Sequence, residues 1–408
     1  MISVAEAQSR ILSAFAPLAA ETVSLADGVG RVLAGDVVAR LTQPPVAVSA
    51  MDGYAVRAAD VARVPVTLTQ IGRSAAGDGF SGAVGSGQTV RIFTGAPVPD
   101  GADAIVIQED TDADGDAITV REGVAAGRYV RPAGLDFRAG SVGVEAGRIL
   151  TPRDIGIAAA MNVPWLSVRR RPKVAILATG DEVVMPGDPL GPHQIVSSNG
   201  WALAAFVAAN GGEPVNLGIA PDRAEALQAM ASGAAGADLL VTTGGASVGE
   251  HELIQSALGE VGLEVDFWKI AMRPGKPLIF GALRGERGVT PLLGLPGNPV
   301  SSLVCAVVFL GPILNRMRGL TPEVLEPVRA RLGRDLPEND RRQDYLRASV
   351  ETGPDGVAVA TPFEKQDSSM LSPLSRADGL VIRPPRAAPA RAGDTVELLH
   401  FPAAATTV

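Results

Sequence analysis

The sequence is poor in cysteine and histidine, which limits the metal and redox chemistry open to it. Cys305 is the single cysteine, and three histidines occur among 408 residues. An internal disulfide is therefore impossible within this sequence, and zinc sites built from cysteine ligands are excluded. Cys305 falls in an apolar helical run, so we interpret it as a buried, unreactive thiol.

An excess of positive charge is also absent. The chain carries 36 Lys and Arg against 44 Asp and Glu, which gives a formal net charge of −8. Proteins that bind duplex DNA usually show a basic excess or a basic stripe, so we expect no nucleic-acid partner. An anionic ligand would have to be held locally, by backbone N–H groups and a few well-placed Lys or Arg side chains.

Long uninterrupted apolar stretches are missing as well. No segment approaches about 18 apolar residues without a polar residue or a proline, so we expect no membrane span. The first residues lack the basic start and apolar run of a signal peptide, and we expect a cytoplasmic protein. Instead, Val4, Ala7, Ile11 and Phe15 recur at helical spacing, which predicts an amphipathic helix.

The patterns that are present divide the chain into four predicted domains. Residues 1–42 and 135–168 are typical of one mixed α/β domain, interrupted at residues 43–134 by short β-type runs between turn signals. Residues 169–321 alternate apolar strands with helices, which predicts a parallel sheet covered on both faces, a three-layer α/β domain. Residues 322–408 hold short strands between Pro and Gly turns, which predicts a small β-barrel.

Three turns in the α/β region share one design. Each follows an apolar strand and combines small residues with Ser, Thr, Asn or acidic side chains. They are Thr179-Gly180-Asp181-Glu182, the segment Thr242–Glu250, and Leu295-Pro296-Gly297-Asn298-Pro299-Val300-Ser301. Small residues let a ligand approach the backbone, and helix N-termini favour anions. One such turn would indicate only tight geometry, but three at the carboxyl edge of one sheet predict a site for an anionic, phosphate-bearing ligand.

Charged residues beside these turns are further candidates. Glu182, Asp222 and Glu252 could hold Mg²⁺, which prefers oxygen ligands and often bridges to phosphates. Asp222 is equally a good helix N-cap, because Glu225 follows three residues later as in a capping box. The turn Arg273–Pro277 carries two cations before a strand, where they could bind an anion or belong to an exposed loop.

Eight strings, taken in order, resemble the MoeA family of molybdopterin molybdenumtransferases, to which the E domain of gephyrin is related. They are SAMDGYA at 49–55, TGAPVP at 94–99, TGDE at 179–182, SNG at 198–200, PD at 221–222, TTGGASVGE at 242–250, RPGKP at 273–277 and LPGNPVSS at 295–302. The resemblance spans most of the chain. It implies the same domain plan, with the N-terminal mixed domain serving as linker and dimerisation domain.

The resemblance implies a reaction and its partners. The family consumes adenylylated molybdopterin and molybdate, places molybdenum on the dithiolene and releases AMP, usually with Mg²⁺. The molybdopterin adenylyltransferase is a possible partner. Members are usually elongated homodimers, in which each site lies between the α/β domain of one subunit and N-terminal elements of the other. This would explain why Asp52 and Thr94 are distant in sequence from the α/β turns.

The resemblance also implies roles for single residues. Asp52, Thr94, Glu182, Asp222 and Glu252 are expected around the reacting groups, the last three as Mg²⁺ ligands. The expected substrate-binding residues are Asp136, Thr179, Gly180, Asp181, Ser198, Asn199, Gly244, Gly245, Ser247, Gly249, Arg273, Lys276, Pro296, Gly297, Asn298, Pro299, Ser301, Arg347 and Ser368. Two of these depart from the family pattern, which commonly has Lys at the position of Arg273 and Asp at that of Glu252.

Two other functions remain open at this point. A molybdopterin adenylyltransferase would share the TGDE and GGASVG strings, but such proteins are typically the α/β domain alone. A scaffold or binding protein, as gephyrin is at synapses, would keep the fold without needing the chemistry. The acidic residues beside the turns favour retained catalysis over this second alternative.

Overall fold

The computed structural model of the chain describes residues 1–244, 256–267, 269–285, 288–322 and 326–401. Four residues with predicted roles lie outside these ranges, namely Gly245, Ser247, Gly249 and Glu252.

The central domain is built on a six-stranded sheet. In spatial order its strands are Glu213–Ala220, Lys173–Thr179, Leu239–Thr243, Gly288–Leu295, Ile279–Gly285 and Leu263–Phe267. The predicted α/β domain is confirmed, but the sheet is not wholly parallel, because Ile279–Gly285 runs antiparallel to both neighbours. Only residues 286 and 287 separate it from Gly288–Leu295, and a parallel pair would need a crossover of about a dozen residues.

Helices cover both faces of this sheet. Alternate strand positions point to opposite faces, so Val174 and Ile176 join one apolar cluster while Ala175 and Leu177 join another. The helices Asn199–Ala209, Pro299–Cys305 and Gly311–Met317 pack on the first face, and Ala224–Ala231 packs on the second. The carboxyl ends of the parallel strands therefore meet at one edge, between two helical layers.

The helical run Pro299–Met317 forms the core of the first face. Among the described residues it is long and apolar enough to cross a membrane, but 78% of it is buried inside the fold. Its middle turn, Ala306–Leu310, is π-helical and precedes Pro312, which has no N–H to donate. Cys305 is buried in this run, and burial raises the pKa of its thiol, as predicted for an unreactive cysteine.

The predicted N-terminal helix is confirmed as Val4–Ser13, and it packs on the central domain. The Ser3 hydroxyl accepts from the N–H of Glu6 and caps the helix. Its apolar face joins the cluster that contains Phe309, and the N–H of Leu18 donates to the carbonyl of Met317 at 2.7 Å. Helical spacing predicts that one face is buried, but it does not predict which domain covers that face. The predicted range 1–42 groups the helix with the N-terminal domain, whereas the helix packs on the central domain. The domain limits stay predictions.

The rest of the N-terminal half contains the inserted β unit and a smaller mixed unit. The β unit is a six-stranded sheet with the order Ala104–Ile107, Gly53–Val56, Gln88–Ile92, Val66–Ser74, Ala117–Val120 and Thr111–Asp114. The mixed unit pairs strand Ala20–Ser24 with Trp165–Arg169 and Val37–Val38 with Val142–Val144, beside helix Pro152–Ala160. A short pairing of Val48–Ser49 with Val130–Arg131 also lies in this half, and another, Val183–Val184 with Ile195–Val196, lies in the central domain.

The C-terminal domain is the predicted small barrel. Five strands close on themselves in the order Gln343–Thr352, Ala358–Pro362, Val328–Leu332, Thr395–His400 and Gly379–Arg383, and the last pairs again with the first. A short strand of the central domain, Met272–Arg273, adds to the barrel beside Gln343 and Asp344. The helix Leu371–Ser375 lies between two barrel strands in sequence. The two domains are therefore joined by backbone pairing.

Candidate active site

A cleft of about 970 Å³ lies where the carboxyl edge of the central sheet meets the C-terminal barrel. Most of the described residues with predicted site roles line it. They are Thr179, Glu182, Ser198, Asn199, Gly244, Arg273, Lys276, Pro296, Gly297, Asn298, Pro299, Ser301 and Ser368. Another cavity, of about 390 Å³, lies near the opposite edge of the sheet between Gln228, Ser232 and Thr290, and no charged side chain lines it in the described ranges.

Hydrogen bonds tie the turns of the cleft to one another. The amide of Asn199 donates to the hydroxyl of Thr243 at 2.9 Å and to the carbonyl of Gly297 at 2.7 Å. The hydroxyl of Thr243 donates in turn to the carbonyl of Pro296 at 3.3 Å. A network of this kind holds polar groups in place before a ligand arrives, so binding costs little reorganisation.

Two glycines are required by the geometry of these turns. Gly180 and Gly244 have φ values of +138° and +101°, which side-chain-bearing residues rarely adopt. A Cβ atom at Gly244 would lie 2.2 Å from the carbonyl oxygen of Thr179. At Gly244 backbone therefore forms the wall of the cleft, whereas Gly180 and the neighbouring Asp181, both predicted to bind substrate, do not line it.

One buried hydroxyl at the carboxyl edge of the sheet makes no hydrogen bond within the described residues. Thr179 is 2% exposed, lines the cleft, and its Oγ1 has no hydrogen-bond partner within the described chain. A buried polar atom without a partner costs about 1–3 kcal/mol. A ligand that hydrogen-bonds Thr179 would recover this cost.

The acidic residues divide between the cleft and the neighbouring strand end. Glu182 lines the cleft, while the N–H of Asp222 donates to the carboxylate of Asp181 at 3.1 Å. The predicted capping box of Asp222 is wrong, because Arg223 is the N-cap of helix Ala224–Ala231 and keeps an extended backbone. Among the described residues no three His, Cys, Asp or Glu side chains form a group that could hold a metal.

Asp52 and Thr94 meet each other in the inserted β unit, away from the cleft of their own chain. The backbone N–H and the hydroxyl of Thr94 donate to one oxygen of Asp52, at 2.7 and 2.8 Å. These bonds, the first of them most, and the charge of Arg91 lower the pKa of Asp52. Asp136 is exposed on another loop, where its N–H donates to Gln43, and it does not line the cleft either.

We expect Thr94→Val to raise the pKa of Asp52 towards its ordinary value, because the variant loses the hydroxyl but keeps the N–H. A lowered folded-state pKa stabilises the fold above the unfolded pKa of about 3.9, and this contribution is lost as the pH falls through the folded pKa. The stability advantage of the wild type should therefore shrink below about pH 4. An NMR titration of Asp52 measures the shift, with Thr94→Ser as control, and identical titrations of wild type and Thr94→Val would contradict it.

Arg347 lies behind the loop that brings Ser368 to the cleft. It is 1% exposed, and its guanidinium donates to the carbonyls of Lys365, Asp367 and Met370 at 3.3, 3.0 and 2.9 Å. Burial lowers the pKa of this guanidinium. Asn298 donates to the Ser368 hydroxyl at 2.9 Å from the other side. Arg347 is thus placed to hold the loop, and it does not line the cleft itself.

The barrel also supplies cleft residues that the sequence analysis missed. Arg342 lines the cleft and donates to the carboxylate of Asp340 at 2.8 Å, and this bond lowers the pKa of Asp340 to about 2. Gln366, Asp367 and Ser369 line it as well. In the sequence these residues look like ordinary surface residues of a β domain, so no local signal separates them from their neighbours.

The fold and the cleft define a multidomain protein whose α/β domain opens a polar cleft with glycine turns towards a C-terminal barrel. Three family models match it in order: residues 2–162 match the MoeA N-terminal region (domain I and II), residues 175–316 a probable molybdopterin binding domain, and residues 329–401 the MoeA C-terminal region (domain IV). Curated relatives and solved structures agree with these matches over nearly the whole length. The chain belongs to the MoeA family, which confirms the resemblance found in the sequence.

Two curated relatives carry the name molybdopterin molybdenumtransferase. A molybdopterin molybdenumtransferase from Haemophilus influenzae is 32% identical over 98% of this chain and 99% of its own length. One from a Nostoc species is 38% identical over 81% of this chain and 77% of its own. A solved structure of a MoeA protein from Pyrococcus horikoshii superposes with a TM-score of 0.86 at 32% identity, covering 99% of this chain and all of the other.

Proposed function

We propose that the protein is a molybdopterin molybdenumtransferase, a transferase of molybdenum cofactor biosynthesis. It would take adenylylated molybdopterin and molybdate, place molybdenum on the dithiolene and release AMP. The observation that carries this proposal is the match over 98% of the chain to a relative of that name. The rival role of an adenylyltransferase is not favoured, because the N-terminal and C-terminal MoeA regions are both present.

The cleft has the chemistry that this reaction needs. Cleavage of a phosphoanhydride asks a protein chiefly for positioning and for stabilisation of negative charge. The turns at Gly244 and Gly297 form backbone surface in the cleft, and Lys276 adds a cation. The preorganised Asn199–Thr243 network would keep these groups in place during the reaction.

The donor set also fits Mg²⁺, which we propose as the cofactor. In phosphate-handling sites this ion is usually held by one or two carboxylates together with substrate phosphates. Glu182 in the cleft and Asp222 at the next strand end are the carboxylates that would hold the ion. The buried hydroxyl of Thr179 is a further oxygen ligand. When bound, the ion would neutralise phosphate charge and act as a Lewis acid.

We propose a homodimer in which the partner subunit completes each site. The supporting observation is that Asp52, with its carboxylate held by two hydrogen bonds from Thr94, lies outside the cleft of its own chain. A cytoplasmic location and contact with the adenylyltransferase that makes the substrate are proposals that follow from the same pathway.

An AMP-release assay tests the function. Purified protein given adenylylated molybdopterin and molybdate should release AMP and yield cofactor that activates a molybdoenzyme. Treatment with EDTA should stop AMP release, and Mg²⁺ should restore it. Formation of the adenylylated substrate from ATP would instead support the adenylyltransferase, and protein that neither makes nor consumes the adduct would support a scaffold role.

A further inference from the structure

We propose that Arg273 is a positioning residue that locks the turn Arg273–Pro277 onto the C-terminal barrel, and that Lys276 is the residue of this turn that binds the anionic substrate. The inference rests on the proposed function, because it concerns the same cleft. Arg273 and Lys276, which the sequence pattern does not distinguish, would thus have different roles.

The guanidinium of Arg273 is already engaged by the barrel. It donates to Asn339 Oδ1 at 3.2 Å, to Asp340 Oδ2 at 3.3 Å, and to the carboxylate of Asp344. The hydrogen bond to Asp344 raises the pKa of Arg273. All three acceptors come from one short barrel segment, which matches the planar fork of an arginine better than a point charge would.

Two of the three acceptors, Asp344 and Asn339, are buried, whereas Asp340 is exposed. Asp344 is 3% exposed, and burial raises the pKa of its carboxyl, an effect that the hydrogen bond and charge of Arg273 oppose. The amide of Asn339 is buried as well and donates to the carbonyls of Arg342, Arg383 and Pro384, at 2.9, 3.1 and 2.8 Å. Because a buried carboxylate is costly without a cation, Arg273 is bound to this place in the fold.

The backbone of the turn is held on two sides. Met272 and Arg273 pair with Gln343 and Asp344 as a parallel strand of the barrel sheet. Gly275 packs against the central helix so closely that a Cβ there would lie 2.8 Å from the sulfur of Cys305. The turn is therefore clamped between the barrel and the helix, and its position follows that of both domains.

Lys276 is free for a different task. It lines the cleft, and within the described residues no hydrogen bond or ion pair engages its ammonium group. Its charge is thus available to an anion, whereas that of Arg273 is neutralised by Asp340 and Asp344. The clamp would set the direction from which Lys276 meets the substrate.

A double-mutant cycle tests this assignment with Arg273→Ala, Asp344→Asn and the double variant. Each single change should lower kcat/KM for AMP release about 10- to 100-fold, as expected for loss of a charge-assisted hydrogen bond. The double variant should be no worse than Arg273→Ala, because both changes break one clamp. Arg331→Ala is the matched control, since it removes an exposed barrel ion pair with Asp355, and it should leave kcat/KM unchanged.

The salt dependence of KM separates positioning from direct binding. A cation that binds the substrate makes KM depend on NaCl through screening. Arg273→Ala should keep the wild-type salt dependence, while Lys276→Ala should lose part of it. The assignment is overturned if Arg273→Ala loses the salt dependence, or if the two changes at Arg273 and Asp344 multiply in the double variant.

Failure of the proposed function can be told apart from failure of the clamp. If the wild type releases no AMP, the function is wrong, and the same cycle is then measured by denaturant unfolding. Coupling between Arg273 and Asp344 in the free energy of unfolding would support the clamp, and independent effects would refute it.

Discussion

Two inactive variants should restore each other's activity when their subunits form mixed dimers. Asp52→Asn and Glu182→Gln should each lower kcat at least about 100-fold, since each removes a charge expected at the reacting groups. If one subunit supplies Asp52 and the other supplies Glu182, a mixed dimer has one site with both defects and one intact site. Mixed dimers isolated with two affinity tags should therefore show about half of the wild-type activity.

A matched pair of variants makes this result decisive. Glu182→Gln and Lys276→Ala both lie in the cleft of one chain. In their mixed dimer every site carries one defect, so no activity should return. Inactive mixed dimers of Asp52→Asn with Glu182→Gln would show that the site does not cross between subunits, and a monomeric protein would refute the dimer altogether.

Replacing Arg347 should destabilise the protein and disturb the loop that carries Ser368. Arg347→Ala removes a buried guanidinium and leaves three part-buried carbonyls without their donor, and we expect a loss of about 3 kcal/mol in the free energy of unfolding. Arg347→Lys should lose almost as much, because an ammonium group cannot reproduce the fork. Urea unfolding measures the loss, and KM for the adenylylated substrate reports on the loop.

The exposed Arg331 provides the comparison for Arg347. Both residues lie on barrel strands, but Arg331 forms an exposed ion pair with Asp355, and such pairs contribute about 0–1 kcal/mol. Arg331→Ala should thus shift the urea midpoint slightly or not at all. A midpoint for Arg347→Ala as close to wild type as that of Arg331→Ala would show that the loop carbonyls find other donors, and the positioning role would be wrong.

The elements that were predictable are those with local signals. The barrel strands and the helix Val4–Ser13 follow from alternation, helical spacing and turn residues that act over a few positions. The direction of Ile279–Gly285 was not predictable in this way. An apolar run of strand length has the same pattern in a parallel and in an antiparallel neighbourhood, and the pairing partner alone decides between them.

The site residues likewise divide into those that have a local sequence signal and those that do not. Thr179, Gly244 and Gly297 could be identified because they end apolar strands, and parallel strands bring their carboxyl ends together. The cap at Asp222 was wrong because an extended Arg223 moved the helix start by one residue. Arg273 and Asp344 are brought together only because two domains pack against each other. The local sequence around either residue therefore does not predict their hydrogen bond.

The packing of the N-terminal helix has a consequence during synthesis. Val4–Ser13 is translated well before the helical run Pro299–Met317 against which it packs, and Gln8 donates to the carbonyl of Val308. Nearly three hundred residues, including the whole inserted β unit, must be translated before this apolar face can be covered. Until that run has been translated, the apolar side chains of Val4–Ser13 lack the surface that covers them in the fold, and we expect them to be accessible to chaperones that bind exposed apolar segments.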